Sequence, residues 1–82
     1  MIEVLKFGAT WCTQCKQADT IMRGFSRPVT YLDTDANKDM VEKYNITGLP
    51  TYIVLKDGNE VNRIIGATPN MMGRIIDIIE NA

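Results

Sequence analysis

Five residues in succession, Thr51-Tyr52-Ile53-Val54-Leu55, are β-branched, aromatic or aliphatic, and Asp57-Gly58 stands just beyond them. A run of that length and kind reads as a strand. The Asp-Gly pair suits the positive φ angles of a two-residue hairpin turn, so Glu60 to Ile65 should return antiparallel to the run. Upstream, Val4-Leu5-Lys6-Phe7 is a second short apolar segment, ended by Gly8, and reads as a buried strand. Between Cys12 and Phe25 the period changes: Ala18, Ile21, Met22 and Phe25 recur at helical spacing, and Gly24 with Pro28 marks the exit. Val29 to Leu32 reads as another strand. A polar loop over Asp33-Thr34-Asp35-Ala36-Asn37 leads to a short helix with Met40, Val41 and Tyr44 on one face. Thr68-Pro69 offers an N-cap and a first-turn proline for a last helix, whose apolar face would hold Met72, Ile75, Ile76 and Ile79.

The resulting order, β-α-β-α-β-β-α, predicts an α/β fold: a four-stranded mixed sheet flanked by three helices. Strands that alternate with helices imply parallel neighbours covered on both faces, and the hairpin adds an antiparallel edge. No linker, repeat or low-complexity segment interrupts the chain, so residues 1–82 read as a single domain. The five methionines fall mostly at core spacing in helices and read as gap-fillers.

Composition narrows the function. At 82 residues the chain buries roughly 60% of its unfolded surface. Nine Lys plus Arg against ten Asp plus Glu leave a net charge of −1, which argues against non-specific nucleic-acid binding. No apolar run approaches the ~20 residues that span a bilayer. Met1-Ile2-Glu3-Val4-Leu5-Lys6 lacks the charged region and long apolar stretch of a signal peptide, so a cytoplasmic location is expected. There is no histidine, which removes histidine bases, Ser-His triads and histidine metal sites.

The only cysteines are Cys12 and Cys15, placed where a strand ends and a helix begins. A helix N-terminus offers unpaired N–H groups and the positive end of the dipole, and both favour an anion. Cysteines so placed reach pKa values of roughly 3.5–7.5, and the thiolate is the form that attacks disulfides. One helical turn brings the second sulfur to the first. Cys12 is then the exposed attacker, and Cys15 resolves the mixed disulfide that it forms. Other uses of the pair stay open at this point. A structural disulfide closes too short a loop to restrain the unfolded chain much. A zinc site of about four ligands would need two copies of the chain. A binding domain would carry the cysteines without using them.

The stretch Phe7-Gly8-Ala9-Thr10-Trp11-Cys12-Thr13-Gln14-Cys15-Lys16 resembles the active-site segment of the thioredoxin family. Tyr44-Asn45-Ile46-Thr47-Gly48-Leu49-Pro50-Thr51, Lys56-Asp57-Gly58 and Gly66-Ala67 match it in the same order. The resemblance runs from residue 2 over nearly the whole chain, without the strand and helix that open full-length thioredoxins. It implies a thioredoxin-like fold and a cis-proline at Pro50 facing the sulfurs. It also implies a flat apolar surface around Cys12, made by Trp11, Leu49, Pro50, Gly66 and Ala67, with the Leu49 backbone open to an extended substrate segment. For Trp11, core packing is the competing reading. The implied activity is reduction of protein disulfides by dithiol exchange, with a thioredoxin-reductase-type reductant, no metal or prosthetic cofactor, and a monomeric chain. A glutaredoxin-like carrier, a dedicated electron donor to ribonucleotide reductase and a non-catalytic interaction subunit are the alternatives. Trp11 and Gly66-Ala67 look more like thioredoxin than glutaredoxin.

Two positions depart from the family. Thr13-Gln14 replaces the usual Gly-Pro between the cysteines, which restores a backbone donor near the Cys12 sulfur. Lys6 occupies the position where thioredoxins usually bury an aspartate, which makes it a third candidate catalytic residue beside Cys12 and Cys15. Its ammonium attracts the thiolate, or it acts as a base if burial makes it neutral, or its head reaches solvent and touches nothing. A stabilised thiolate stabilises the reduced form and makes the pair more oxidising. Gln14→Pro and Lys6→Asp are therefore expected to move the reduction potential to more negative values. Redox equilibration against dithiothreitol checks this, and unchanged potentials in both variants would overturn it.

Overall fold

A computed structural model describes all 82 residues. The elements are β1 (Ile2–Gly8), α1 (Thr13–Ile21), β2 (Thr30–Asp33), α2 (Lys38–Lys43), β3 (Thr51–Lys56), β4 (Asn59–Ile65) and α3 (Met71–Glu80). They form one four-stranded sheet in the order β2-β1-β3-β4. The central strands β1 and β3 are buried along most of their length, and the two edge strands are largely exposed. Near-continuous apolar runs belong on central strands covered from both sides, which is why Val4–Phe7 and Thr51–Leu55 took those places.

Side chains alternate across the sheet and build two cores. On one face Val4, Tyr52, Val54 and Ile64 pack with Ala18 and Met22 of the first helical segment and Met71, Ile75 and Ile79 of α3. On the other, Leu5, Phe7, Ile53 and Leu55 pack against Met40, Val41 and Tyr44 around α2. Arg63 ties α2 to the far edge: its guanidinium donates to the Tyr44 carbonyl (2.8 Å) and to Glu60.

The hairpin forms as expected, with Asp57 and Gly58 at φ 52° and 84°. Leu55 faces Glu60 while Val54 faces Asn62, so Val61 is an extra residue in a β-bulge that the sequence did not announce. Parallel pairing is confined to β1 and β2, and β3 lies antiparallel to β1. The expected parallel return does not occur there. Six-residue α2 rises only about 9 Å, whereas a seven-residue strand spans about 23 Å. The chain instead re-enters the sheet at the end where β2 left it.

The last helix also departs from expectation. It starts at Met71 with Asn70 as N-cap, two residues after the Thr68-Pro69 signal, and the Thr68 carbonyl accepts from the Met71 N–H within a preceding turn. Met71, Ile75 and Ile79 make the buried stripe, Met72 flanks it, and Ile76 is exposed. Removing the Ile75 side chain leaves a cavity in the larger core, so Ile75→Ala is expected to cost about 3 kcal/mol. Ile76→Ala should stay within about 0.5 kcal/mol. Urea denaturation of both variants checks the assignment of the face, and equal losses would refute it.

Candidate active site

The C-terminal end of β1, the C-terminal end of β2 and the start of β3 meet at one end of the sheet. Gly8 closes β1 there. A Cβ on Gly8 would sit 3.3 Å from Cys15 Sγ and 3.2 Å from the Tyr31 ring, so the missing side chain is what lets α1 begin so close to the sheet. Cys12 is the N-cap of α1 in extended conformation, and its sulfur accepts from the Cys15 N–H at 3.1 Å. The backbone donor to this sulfur is thus the third amide of the helix; the Gln14 N–H makes no such bond. Cys12 and Cys15 are joined as a disulfide with Cα atoms 5.2 Å apart.

Cys12 is not the exposed residue expected of an attacker. In the disulfide it is 7% accessible, close to the 4% of Cys15. Ala9 and Leu49 pack around the pair, and the residues beside Cys12 are themselves exposed. The two cysteines border different spaces. Cys12 lines an open groove of about 480 Å³ with Trp11, Thr13, Gln14, Thr47, Gly48 and Leu49. Cys15 lines a cavity of about 630 Å³ on the other side, with Lys6, Thr10, Asp19, Tyr31 and Tyr52 in its wall.

Trp11 does not pack in the core. It is 67% accessible, and its indole N–H donates to Asp35 Oδ2 at 2.9 Å. Asp35 is held for this by an Asx turn, its own N–H donating to Asp33 Oδ1. The Leu49–Pro50 peptide bond is cis. Thr51 Oγ1 donates to the Gly48 carbonyl and the Gly66 N–H to the Pro50 carbonyl, which fixes this turn from both sides. The Leu49 N–H and C=O make no hydrogen bond within the chain. Pro50 is buried, and Gly66 and Ala67 are half-buried, with Ala67 packed against the larger core. Those three residues shape the support of the turn, while Trp11 and Leu49 border the groove. Thr47 and Gly48 also border it, and the Tyr44–Thr51 match in the sequence already contained them.

Lys6 does not take the solvent-facing arrangement that the sequence left open. It is 6% accessible and its head does not reach solvent. β1 alternation turns Lys6 to the α1 side with Val4, and its cross-strand neighbours are Tyr31 and Tyr52. The ammonium lies 5.6 and 6.0 Å from those two ring centroids. It donates to the Cys15 carbonyl (3.4 Å) and forms an ion pair with Asp19. The sequence reading missed Asp19, although its i, i+4 spacing from Cys15 on α1 put both on the same helix face.

No group of three or more His, Cys, Asp and Glu side chains is placed to hold a metal ion, and no helix is long and apolar enough to cross a membrane. Two sulfurs one helical turn apart, with an N–H aimed at the first, interconvert as a dithiol and a disulfide. That arrangement defines a thiol–disulfide oxidoreductase. The thioredoxin family model matches residues 2–80, and the chain belongs to the thioredoxin family. A thioredoxin of Staphylococcus aureus is 31% identical over 74 residues, covering 83% of this chain and 71% of that one. Among solved structures, thioredoxin from Trypanosoma brucei brucei superposes with a TM-score of 0.85 at 30% identity, over 98% of this chain and 76% of that one. Fasciola hepatica thioredoxin gives 0.83 at 28% identity, over 93% and 78%.

Burial, first, and the Asp19 carboxylate, second, push the Tyr52 hydroxyl from 10.0 up to about 12. The native state therefore keeps a proton that the unfolded chain releases. This contribution to stability is full below pH 10.0 and is lost as the pH rises towards about 12. Burial and then Asp33, Asp19 and Asp35 raise Tyr31 as well, so it adds to the same alkaline loss. Urea midpoints measured across this window should fall with rising pH, and less steeply in Tyr52→Phe. An equal fall in the variant would refute the assignment.

Proposed function

We propose that the chain is a single-domain carrier that reduces protein disulfides, with Cys12 as the attacking sulfur and Cys15 as the resolving one. The observation that carries this reading is that Cys12, and not Cys15, is the N-cap of α1 and borders the open groove. The Cys12 thiolate attacks one sulfur of the substrate disulfide and the other leaves as a thiolate. The Cys15 thiol then loses its proton and attacks Cys12 Sγ. The mixed disulfide breaks, the Cys12–Cys15 bond forms, and the second substrate thiolate leaves. Two electrons have passed to the substrate, whose two thiolates take up protons.

Trp11 and Leu49 serve as the apolar walls on which a substrate segment lies, above a turn fixed by Pro50, Gly66 and Ala67. The free N–H and C=O of Leu49 suit an extended backbone, which favours protein disulfides over one small molecule. An external dithiol reductant of the thioredoxin-reductase type regenerates the pair, and the reading needs no prosthetic group. It takes residues 1–82 as the working unit, a monomer acting in the cytoplasm.

Insulin reduction, driven in parallel by thioredoxin reductase with NADPH and by glutathione with glutathione reductase, tests the proposal. Turnover with the first system is expected; turnover with the second alone would make the chain a glutaredoxin-like carrier. Cys12→Ser should abolish turnover, and Cys15→Ser should accumulate a mixed disulfide through Cys12. Retention of turnover in Cys12→Ser would overturn the assignment of the attacker.

A further inference from the structure

We infer that the Lys6–Asp19 pair sets the charge on the Cys15 sulfur in the resolving step, with the cavity behind Cys15 as the exit for its proton. The inference rests on the resolving role proposed above for Cys15.

Resolution requires a thiol that is almost wholly shielded from water to become an anion, and burial disfavours an anion unless a charge or donor faces it. In the attacking position the helix supplies that help: the Cys15 N–H points at Cys12 Sγ. Cys15 itself sits one turn into α1, so the first-turn amide that serves Cys12 is not available to its own sulfur. What lies beneath it is Lys6. The two side chains converge on the same spot, because a Cβ on Gly8 would contact Cys15 Sγ at 3.3 Å and Lys6 Cε at 3.6 Å. The ammonium is tied to the residue it serves through the Cys15 carbonyl.

The groups that face Cys15 across the cavity are few. β1 contributes Lys6, α1 contributes Lys16 and Asp19, β2 contributes Tyr31 and β3 contributes Tyr52. Lys16 is exposed and the tyrosines carry no charge at neutral pH. The buried charge is therefore that of Lys6, and Asp19 is its opposing carboxylate. The Asp19 side chain is 64% accessible, so one end of the pair is under the disulfide and the other is in solvent. Lys6 favours the Cys15 thiolate. Asp19 holds the ammonium in place and partly offsets its field. The Cys15 proton passes to water in the cavity and leaves past Asp19, the Cys12–substrate bond breaks, and the Cys12–Cys15 bond forms. Lys6 reaches Cys15 through the backbone carbonyl, so it is a positioning residue, and so is Asp19.

The pair makes a prediction of opposite signs. In a Cys12→Ser background, the ultraviolet absorbance of the Cys15 thiolate is titrated without any substrate. Lys6→Met removes the favourable charge and should raise the midpoint by about one pH unit, a tenfold change in thiolate population. Asp19→Asn removes the opposing charge and should lower it, and Lys6→Arg should stay near the parent. Shifts of the same sign in the Met and Asn variants, or none in either, would overturn the inference. Circular dichroism reports whether Lys6→Met is folded. Were it unfolded, Asp19→Asn at the exposed end of the pair decides alone, and an unmoved or raised midpoint overturns the inference. Because the titration uses no substrate, it is independent of the insulin assay: absent turnover there would refute the proposed function and leave this measurement standing.

Discussion

Burial of β1 and β3 on both faces is the constraint from which the rest of the molecule follows. A strand covered on two sides needs a layer above and a layer below, and three helices of six to ten residues are what the chain has to supply them. Alternation along β1 then assigns each residue to a layer: Val4 to the side of α1 and α3, Leu5 and Phe7 to the side of α2. The same parity that buries these apolar side chains leaves no choice for Lys6, which must go under α1. An ammonium in that position is tolerable because its surroundings were built around it, with a tyrosine on each flanking strand and a carboxylate from the covering helix.

The site is a second consequence of the same arrangement. Both central strands have an end at the same edge of the molecule, and each is followed or preceded there by a segment with special backbone chemistry. Gly8 allows α1 to start against the sheet, and the Leu49–Pro50 turn leads into β3 beside it. Neither feature contributes a reacting atom. Their effect is to bring the N-terminus of a helix, with its unpaired N–H groups, to an open groove, and to place the second sulfur over a separate cavity. The two sulfurs thus see different surroundings although they are three residues apart. A backbone N–H points at Cys12 Sγ, and a buried ammonium lies on the Cys15 carbonyl.

Much of this was legible in the residues. The periods of the strands and helices, the Asp57-Gly58 turn and the Cys12/Cys15 pair at a strand-to-helix junction gave the element order and the chemistry. The errors lie where local signals compete with packing. Thr68-Pro69 is a good helix start, yet α3 begins at Met71, and the stripe that faces the core is Met71, Ile75 and Ile79. Four isoleucines and two methionines in ten residues give a helix apolar on several sides, and only its docking chooses one. The bulge at Val61 has no glycine to mark it. The antiparallel entry of β3 depends on how far α2 carries the chain, a distance that periodicity does not encode.

The sequence by itself determined the dithiol chemistry, the absence of histidine from it, and the alternation of elements, because these depend on residue type and on spacing within a few turns. The surroundings of the sulfurs were decided only in the tertiary structure. Lys6 could equally have reached solvent as far as β1 alone is concerned; it is buried because β2, β3 and α1 close over it, and Asp19 meets it from thirteen residues away. Cys12 reads as exposed from its place at a strand-to-helix junction, and is shielded because Ala9 and Leu49 pack on the disulfide from either side in sequence. Charge and burial at a site are sums over neighbours that the chain brings together from distant positions, and a local pattern holds only its own share of that sum.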